Sequence, residues 1–266
     1  MSMAVDKLWV IKIGGNIVDH PEGLNRFLDR FAGLHGRKVL VHGGGKIATR
    51  MAADLGLEAK LVAGRRITDA AMLRVVTMVY AGLTNKQVVA GLQARKCNAL
   101  GLSGADGNSI MAVKRPVDEI DYGFVGDILP TSVDEAAIAA LMACDFVPVF
   151  SAITHDGQGQ LLNTNADTIA SALAVALSSR YDTSLVYCFE KPGVLRDVHD
   201  DNSVIPEIKA AEFEGLRAAG IVADGMVPKL HNAFDAIAKG VREVCIGHAD
   251  DLHLLHERRF GTRMVK

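Results

Sequence analysis

The chain has 266 residues, 49% of them hydrophobic, and a formal net charge of -2 at pH 7. This length and apolar content suffice for one large α/β unit with a sizeable core. The balanced charge argues against a protein that binds nucleic acid or an anionic membrane surface through a basic surplus. No apolar stretch reaches the roughly 18 residues of a membrane span, so none is expected.

Apolar periodicity predicts strands that alternate with helices along most of the chain. The predicted strands cover residues 8–13, 38–41, 97–102, 146–150, 184–188 and 243–247. The predicted helices cover residues 22–34, 46–55, 70–81, 86–95, 133–143, 167–177, part of 204–219, and 226–239. This alternation predicts a mostly parallel sheet covered on both faces, which is a three-layer αβα sandwich.

Residues 108–130 break this alternation. Strand-like runs at 110–114 and 124–128 flank a polar turn, which predicts a β-hairpin inserted on the α/β body. No linker or repeat divides the chain, so a single domain over residues 1–266 is expected. A soft boundary near residues 178–184 separates a predicted N-terminal lobe, about 1–180, from a C-terminal lobe, about 181–266.

The four cysteines are scattered, form no C-x-x-C pair, and each lies in or beside an apolar stretch. This pattern predicts free, buried thiols in a reducing compartment. No N-terminal segment joins a basic region to a long apolar run, so no signal peptide is expected. We therefore expect a cytoplasmic protein.

Two glycine turns follow predicted strands: Gly14 and Gly15 after the first, and the glycines at 43–45 after the second. In a parallel sheet both turns emerge at the carboxyl edge, where ligands bind. Their backbone N–H groups can approach an oxyanion closely, next to helix N-termini. Tight βα turns are the alternative, but Lys12 inside the first strand favours a phosphate site. Walker and dinucleotide-binding glycine spacings are absent, which disfavours hydride transfer.

A second polar cluster, in the sequence L-N-T-N-A-D, leads into the predicted helix at 167–177. Capping explains one of its residues, with Asn165 or Asp167 as N-cap, but explains three polar residues less well. Asparagine side chains such as Asn163 can also hold a carboxylate or amide of a substrate. Asp167 can bridge lysines through charge-assisted hydrogen bonds.

Two cations are further candidates. Lys229 lies in the first turn of a predicted helix, where it opposes the helix dipole. It is either a solvated lysine or, with Lys12, a second phosphate clamp. Arg66 is either one of a solvated pair or a fork for a carboxylate, which only arginine binds in a fixed bidentate geometry. No convergent ligand pattern predicts a protein metal site, and no G-x-S-x-G elbow predicts a hydrolase.

Seven motifs, taken in order, resemble the amino acid kinase family. They are K-I-G-G-N at 12–16, V-H-G-G-G at 41–45, G-R-R-I-T-D at 64–69, T-N-K at 84–86, G-L-S-G-A-D-G at 101–107, L-N-T-N-A-D at 162–167 and D-G-M-V-P-K at 224–229. The resemblance covers essentially the whole chain. It is greatest to the branch that phosphorylates N-acetyl-L-glutamate in arginine biosynthesis.

The resemblance implies a role for each matching residue. Lys12 and Lys229 match two catalytic lysines, and Asp167 matches the acid that organises them. Substrate contacts are matched by Gly44, Gly45, Arg66, Asn163 and Asn165, with Arg66 on the α-carboxylate. Contacts to phosphate or to the rest of ATP are matched by Lys12, Gly14, Gly15, Gly193, Met226 and Lys229. The implied Mg²⁺ is carried by ATP rather than by protein ligands.

The implied reaction is transfer of phosphate from ATP to the γ-carboxylate of N-acetyl-L-glutamate, by a homodimer. N-succinyl-L-glutamate or a carrier-linked amino acid is an open alternative acceptor. Carbamate, aspartate or a nucleotide is disfavoured by R-I-T-D and N-T-N-A-D. A non-catalytic amino acid or nucleotide sensor is disfavoured because both lysines and Asp167 are present. Relatives often carry Thr-Asp or Ser-Asp where this chain has C-F-E-K-P at 188–192, which leaves the nucleotide contacts open.

Overall fold

A computed structural model describes residues 6–62, 64–218, 221 and 226–266, and of residue 228 the backbone alone. The strands in this part of the chain are β1 (Lys7–Ile13), β2 (Arg37–His42), β3 (Leu61–Val62), β4 (Arg65–Arg66), β5 (Ala99–Leu102), β6 (Val113–Lys114), β7 (Gly126–Asp127), β8 (Val147–Ser151), β9 (Ile153–His155), β10 (Leu161–Asn163), β11 (Asp182–Phe189), β12 (Glu207–Lys209), β13 (Glu243–His248) and β14 (Thr262–Val265).

The α-helices are α1 (Gly15–Asp19), α2 (Pro21–Gly33), α3 (Gly45–Asp54), α4 (Ala70–Val76), α5 (Asn85–Gln93), α6 (Glu135–Ala143), α7 (Ala166–Leu177), α8 (Ala210–Ala218) and α9 (Val227–Ala238). A π-helical segment, Thr77–Thr84, joins α4 to α5, and 3₁₀ helices cover Asp106–Asn108 and Ala249–Glu257. Among the described residues no helix is long and apolar enough to cross a membrane.

Eight strands form one sheet in the order β12-β14-β13-β11-β1-β2-β8-β5. Every neighbouring pair is parallel except β13 with β14. The predicted mostly parallel sheet is therefore confirmed. Because β1 pairs with both β2 and β11, strands from before and after residue 180 lie side by side, and the division into two lobes stays a prediction.

The central strand β1 is buried on both faces, and its alternate residues reach different layers. Leu8 and Val10 belong to one apolar cluster, which includes residues of α3, α4, α6, α7, α8 and α9. Trp9 and Ile11 belong to a second cluster, with α2, α5 and the 3₁₀ helix Ala249–Glu257. The three-layer sandwich is thus confirmed. By the same alternation Lys12 lies on the face that α7 covers.

Three helices begin where a side chain accepts hydrogen bonds from first-turn amides, which have no partner within the helix. Asp69 accepts from the N–H of Met72 and starts α4. Asp134 caps α6 in the same way. Asn165 caps α7 by accepting from the N–H groups of residues 167 and 168.

The predicted inserted hairpin is present, although only Val113–Lys114 and Gly126–Asp127 pair. The short hairpins β3–β4 and β9–β10 and the strands β12 and β14 were not expected, since two to four residues carry little periodicity.

The predicted helix break at 82–85 is wrong, because the π-helical segment continues the helix there. Burial of every cysteine is also wrong: all four are free, but Cys144, next to the C-terminus of α6, is exposed.

The amino edge of the sheet is closed by a charged network around Glu243. Its carboxylate accepts hydrogen bonds from Ser184 at 2.8 Å, Lys7 at 3.2 Å and Arg263 at 3.3 Å. Burial opposes ionisation, but the Ser184 hydrogen bond and the charges of Lys7 and Arg263 outweigh it and hold the pKa of Glu243 below its ordinary value. The ionised carboxylate therefore stabilises the fold above the unfolded-state pKa, and this contribution is lost as the pH falls through the folded-state pKa.

We predict that Glu243→Gln lowers the free energy of unfolding at pH 7 by about 2 kcal/mol, because a hydrogen-bonded charge is lost between two cations. The loss should shrink as the pH falls below 4.5, where protonation of this carboxylate begins to favour the unfolded chain, and it should disappear as the pH passes through the lower folded-state pKa. Urea unfolding at pH 7 and at pH 3.5 measures both effects. Glu257→Gln, in an exposed pair with Arg259, is the control and should change neither value measurably. An equal destabilisation at the two pH values would contradict the assignment.

Candidate active site

Five backbone segments meet at the carboxyl edge of the parallel strands. Strand β1 ends at Ile13 and leads into α1, and β2 ends at His42 and leads into α3. Strand β11, which lies between β13 and β1, ends at Phe189. The first turn of α7 carries Asp167, and the first turn of α9 carries Lys229. Predicted site residues from distant parts of the sequence are thereby brought to one edge.

Lys12 and Asp167 form an ion pair at this edge. Lys12 is 8% exposed, and its Nζ lies 2.8 Å from Oδ1 of Asp167. The contact arises because Lys12, near the end of β1, shares the strand face covered by α7. Asp167 lies in the first turn of that helix, where a carboxylate complements the positive end of the dipole. The two residues that sequence reasoning linked are therefore in contact.

Lys229 approaches the same point from α9. Its Nζ lies 3.9 Å from the centre of the Phe189 ring, and the Nζ of Lys12 lies 5.4 Å from the same centre. Burial lowers the pKa of Lys229 and the charge of Lys12 adds to this, whereas Asp167 and Glu190 oppose it. One aromatic ring thus lies near both cations, which is a favourable arrangement for desolvated ammonium groups.

Tyr187 contacts two members of this cluster, Asp167 and Phe189. Its hydroxyl donates to the backbone oxygen of Asp167 at 3.4 Å, and its ring stacks on Phe189 with centres 6.1 Å apart. Burial, together with the charge of Asp167, raises the pKa of Tyr187 well above its ordinary range. Tyr187 is therefore a neutral support for the cluster rather than a proton acceptor.

A cavity beside this cluster is lined by five predicted substrate-contact residues. They are Gly44, Gly45, Arg66, Asn163 and Asn165. Arg115, which the sequence analysis did not single out, also lines it, with Nε 3.1 Å from both carboxylate oxygens of Asp127. The cavity wall therefore includes cationic and amide side chains among apolar ones, as in pockets where a few polar groups orient a small ligand.

Arg66, on β4, is buried and held in place by neutral acceptors. Its Nη2 donates to the Gly45 carbonyl at 2.9 Å and to Thr49 Oγ1 at 2.7 Å. Sulfur of Met72 lies 3.8 Å from Nη1. Since these three partners carry no charge, the guanidinium keeps its full positive charge beside the cavity.

The two asparagines differ in their contacts. Asn163 donates to Thr68 Oγ1 at 3.0 Å, which ties β10 to the segment that follows Arg66. Asn165 is exposed and uses its side-chain oxygen as the N-cap of α7. The capping interpretation therefore describes Asn165, and its role toward a substrate stays a prediction.

The predicted glycines also differ. A Cβ on Gly44 would approach Tyr80 to 3.0 Å and Thr84 Oγ1 to 3.3 Å, so the π-helical segment leaves no room for a side chain there. Gly14 donates its N–H to the Cys188 carbonyl at 3.1 Å, and Gly15 begins α1. A Cβ on Gly193 would lie 2.8 Å from Thr262 Oγ1, so close packing alone requires this glycine.

The nucleotide side is less completely defined. Met226 precedes α9 and is partly buried against the larger apolar cluster. Asp224 and Gly225 of the D-G-M-V-P-K motif, and the end of the predicted span 204–219, lie outside the described residues. In the part of the chain that the structure covers, no group of three or more His, Cys, Asp or Glu side chains is placed to hold a metal ion.

Sequence reasoning missed several residues that the site uses. Phe189 was noticed only as a departure from relatives, although both lysines contact its ring. Tyr80 and Thr49 lie on helix faces whose contacts with Gly44 and Arg66 depend on tertiary packing. The available signal was the position of Phe189 directly after the predicted strand at 184–188.

Comparison with known proteins agrees with this geometry. The sequence matches the amino acid kinase family over residues 7–248. The chain is 61% identical over 261 residues to an acetylglutamate kinase of Bacteroides thetaiotaomicron, covering 98% of this chain and 99% of that protein. It is 51% identical over 264 residues to an acetylglutamate kinase of Cytophaga hutchinsonii, with 98% and 99% coverage.

Solved structures share the fold at lower identity. An N-acetylglutamate synthase from Neisseria gonorrhoeae, complexed with coenzyme A and N-acetyl-glutamate, has a TM-score of 0.80 at 23% identity; the match covers 99% of this chain and 60% of that one. A carbamate kinase from Giardia lamblia bound to AMP-PNP has a TM-score of 0.70 at 15% identity, with 100% of both chains covered. Because the family match and the two kinases at 51–61% identity span nearly the whole sequence, this chain belongs to the amino acid kinase family.

Proposed function

We propose that the protein transfers the γ-phosphoryl group of ATP to the γ-carboxylate of N-acetyl-L-glutamate, giving ADP and the γ-acyl phosphate. The observation that carries this proposal is the Lys12–Asp167–Lys229 cluster beside a cavity that contains Arg66. The two relatives at 51–61% identity are acetylglutamate kinases by name, which supports the choice of acceptor.

The chemical problem is to bring a carboxylate to an anionic phosphate. A carboxylate oxygen attacks the γ-phosphorus, the bond to the β-phosphate oxygen breaks, and that oxygen leaves on ADP. The acceptor is already ionised near pH 7, so the reaction needs no general base. Catalysis then consists of positioning and neutralisation of charge, which are the usual contributions to phosphoryl transfer.

Each part of the site has a role in this proposal. Lys12 and Lys229 stabilise the charge on the transferring group, and Asp167 keeps the two ammonium groups close to each other. The N–H groups of Gly15 and Gly44 add neutral donors. Arg66 holds the α-carboxylate of the acceptor, with Gly45, Asn163 and Asn165 around the rest of it.

The nucleotide is proposed to lie toward α9. Gly14 borders its phosphates, and Gly193 and Met226 border the remainder. Lysines and backbone amides near helix N-termini are donors that bind phosphate oxygens, which agrees with this placement of the nucleotide. Mg²⁺ arriving with ATP supplies further neutralisation of phosphate charge. The proposal also includes a cytoplasmic homodimer, as the family resemblance implies.

The deciding experiment measures ADP release with Mg-ATP and three acceptors side by side: N-acetyl-L-glutamate, N-succinyl-L-glutamate and free L-glutamate. The proposal requires the highest kcat/KM with the acetyl compound. Preference for the succinyl compound would replace the acceptor and keep the mechanism. Absence of turnover with all three, in a folded protein that binds ATP, would favour a sensor or a carrier-linked substrate.

We predict that Lys12→Ala lowers kcat by about 10²–10³-fold, or roughly 3–4 kcal/mol, since a preorganised charge is lost from the transition state. Lys229→Ala should behave in the same way. KM for the acceptor should change much less, because neither lysine contacts the α-carboxylate in this proposal. Steady-state kinetics with saturating ATP measures both values.

Lys239→Ala is the matched control for Lys229, because Lys239 is exposed at the opposite end of α9. It should keep normal kinetics. Near-normal kcat in Lys12→Ala would remove the central claim of the mechanism.

We predict that Arg66→Ala acts mainly on KM for the acceptor, raising it about 10- to 100-fold, because a charge-assisted contact present before and during the reaction is lost. KM for ATP should stay within about threefold of the native value. Arg74→Ala removes an exposed arginine on α4 and is the control. If Arg66→Ala raised KM for ATP instead, the arginine would belong to the nucleotide site.

A further inference from the structure

The T-N-K motif at residues 84–86 has no role in the reaction as described so far. Its asparagine, Asn85, is 1% exposed and lies beside His42 at the end of β2. We propose that Asn85 and His42 are positioning residues that fix the direction of the Gly44 N–H group. This inference rests on the proposed function, in which that N–H group faces the transferring phosphoryl group.

The hydrogen bonds of Asn85 determine which nitrogen of His42 carries the proton. The Asn85 side-chain nitrogen lies 3.0 Å from Nε2 of His42 and 2.9 Å from the Val149 carbonyl. An amide nitrogen can only donate, so Nε2 must be the acceptor. The proton of the neutral ring is therefore on Nδ1, which lies 2.8 Å from the Gly43 carbonyl and donates to it.

Lys86 fixes the orientation of the Asn85 amide. Its Nζ lies 3.1 Å from Oδ1 of Asn85, and an ammonium group can only donate. Oxygen must therefore face Lys86, which turns the amide nitrogen toward His42. The amide orientation is thus set by a charge that lies outside the proposed reaction.

Gly101, from the G-L-S-G-A-D-G motif, makes room for this arrangement on β5. A Cβ there would lie 2.0 Å from Oδ1 of Asn85 and 2.8 Å from Nζ of Lys86. Any side chain at this position would displace the two residues that orient His42. Two motifs without an assigned role therefore meet at one hydrogen-bonded network.

The His42 ring stays neutral at working pH. Burial lowers the pKa of His42 to about 4; the hydrogen bond to Gly43 opposes this, and the charge of Lys86 adds to it. The residues paired with His42 on the adjacent strands, Ile13 on β1 and Ser151 on β8, carry no charge. The Nδ1 proton is consequently a fixed donor to Gly43 across the pH range of the reaction.

The peptide plane transmits this constraint to the proposed phosphate contact. The Gly43 carbonyl and the Gly44 N–H belong to one trans peptide unit, so they point in opposite directions. Holding that carbonyl against the His42 ring therefore directs the Gly44 N–H to the side opposite this ring. On the other side of the turn Arg66 holds the Gly45 carbonyl at 2.9 Å. A turn without side chains is thus positioned through its carbonyl groups.

The kinetic test uses Asn85→Leu, which removes both amide donors at similar volume. We expect kcat to fall about 10- to 100-fold, because a misdirected donor is lost mainly from the transition state, and KM for either substrate to change less than about threefold. Gln87→Leu loses an exposed amide on the same helix and should keep normal kinetics. Unchanged kcat in a folded Asn85→Leu protein would overturn the proposal.

Asn85→Asp gives a signature that a merely structural role does not produce. The new carboxylate accepts a hydrogen bond from Nε2–H and favours the imidazolium form by its charge, so the pKa of His42 should rise toward the range of about 5 to 8. We expect an additional ionisation in the pH profile of kcat, absent from the native enzyme. A profile identical in shape to the native one would contradict the assignment.

A spectroscopic measurement separates this inference from the proposed function. Ring ¹⁵N NMR of the full-length protein, with His42 assigned through His42→Gln, should show the neutral Nδ1–H form from pH 5 to pH 9. The Nε2–H form, or an imidazolium at pH 6, would overturn the inference even if the enzyme is active. If no acylated glutamate is turned over, the proposed function fails. The tautomer of His42 would still show whether its Nδ1–H donates to Gly43 as inferred. Should Asn85→Leu not fold, Lys86→Met tests the same network and should lower kcat.

Discussion

The architecture of the site depends on holding two lysines close together in a half-buried position. Lys12 and Lys229 both lie near the carboxylate of Asp167 and the ring of Phe189. Burial lowers the pKa of Lys229 although the charges of Asp167 and Glu190 oppose it, so the carboxyl edge of the sheet holds a partly desolvated cation. Desolvation makes such a charge costly, and an anionic ligand relieves that cost. Because β11 lies beside β1, the Phe189 ring at the end of β11 is near both lysines.

The two edges of the sheet differ in how their charged side chains are paired. At the amino edge, the carboxylate of Glu243 is matched by Lys7, Arg263 and a serine hydroxyl. That network is satisfied within the protein and stabilises the pairing of β1, β11 and β13. At the carboxyl edge, burial of Lys229 outweighs the opposing charges of Asp167 and Glu190 and lowers its pKa. The same parallel strands therefore carry a satisfied charge network at one end and a partly desolvated cation at the other, where ligands bind to such sheets.

Much of this arrangement could be predicted from the sequence, because it depends on local patterns. An apolar run ending in glycine predicts a strand and a turn, and parallel strands place Gly15, Gly44 and Lys12 at one edge. The part that could not be predicted depends on strand order and helix packing. Nothing local indicates that Phe189 contacts Lys229, or that a π-helical segment brings Tyr80 against Gly44. The capping role of Asn165 was visible as an alternative, since capping is itself a local interaction.

A turn built of glycine is flexible, so the turn alone does not fix the direction of its amide groups. Glycine also has no side chain through which neighbouring residues could hold the turn. The protein must therefore constrain such a turn through its carbonyl groups. His42 and Arg66 do so from opposite sides, with one neutral donor and one charged donor. The neutral donor, His42, is fully buried. Burial is the main cause that lowers the pKa of this histidine, and the charge of Lys86 adds to it. In the proposed function, residues remote from the reacting atoms therefore act through a donor that has no side chain of its own.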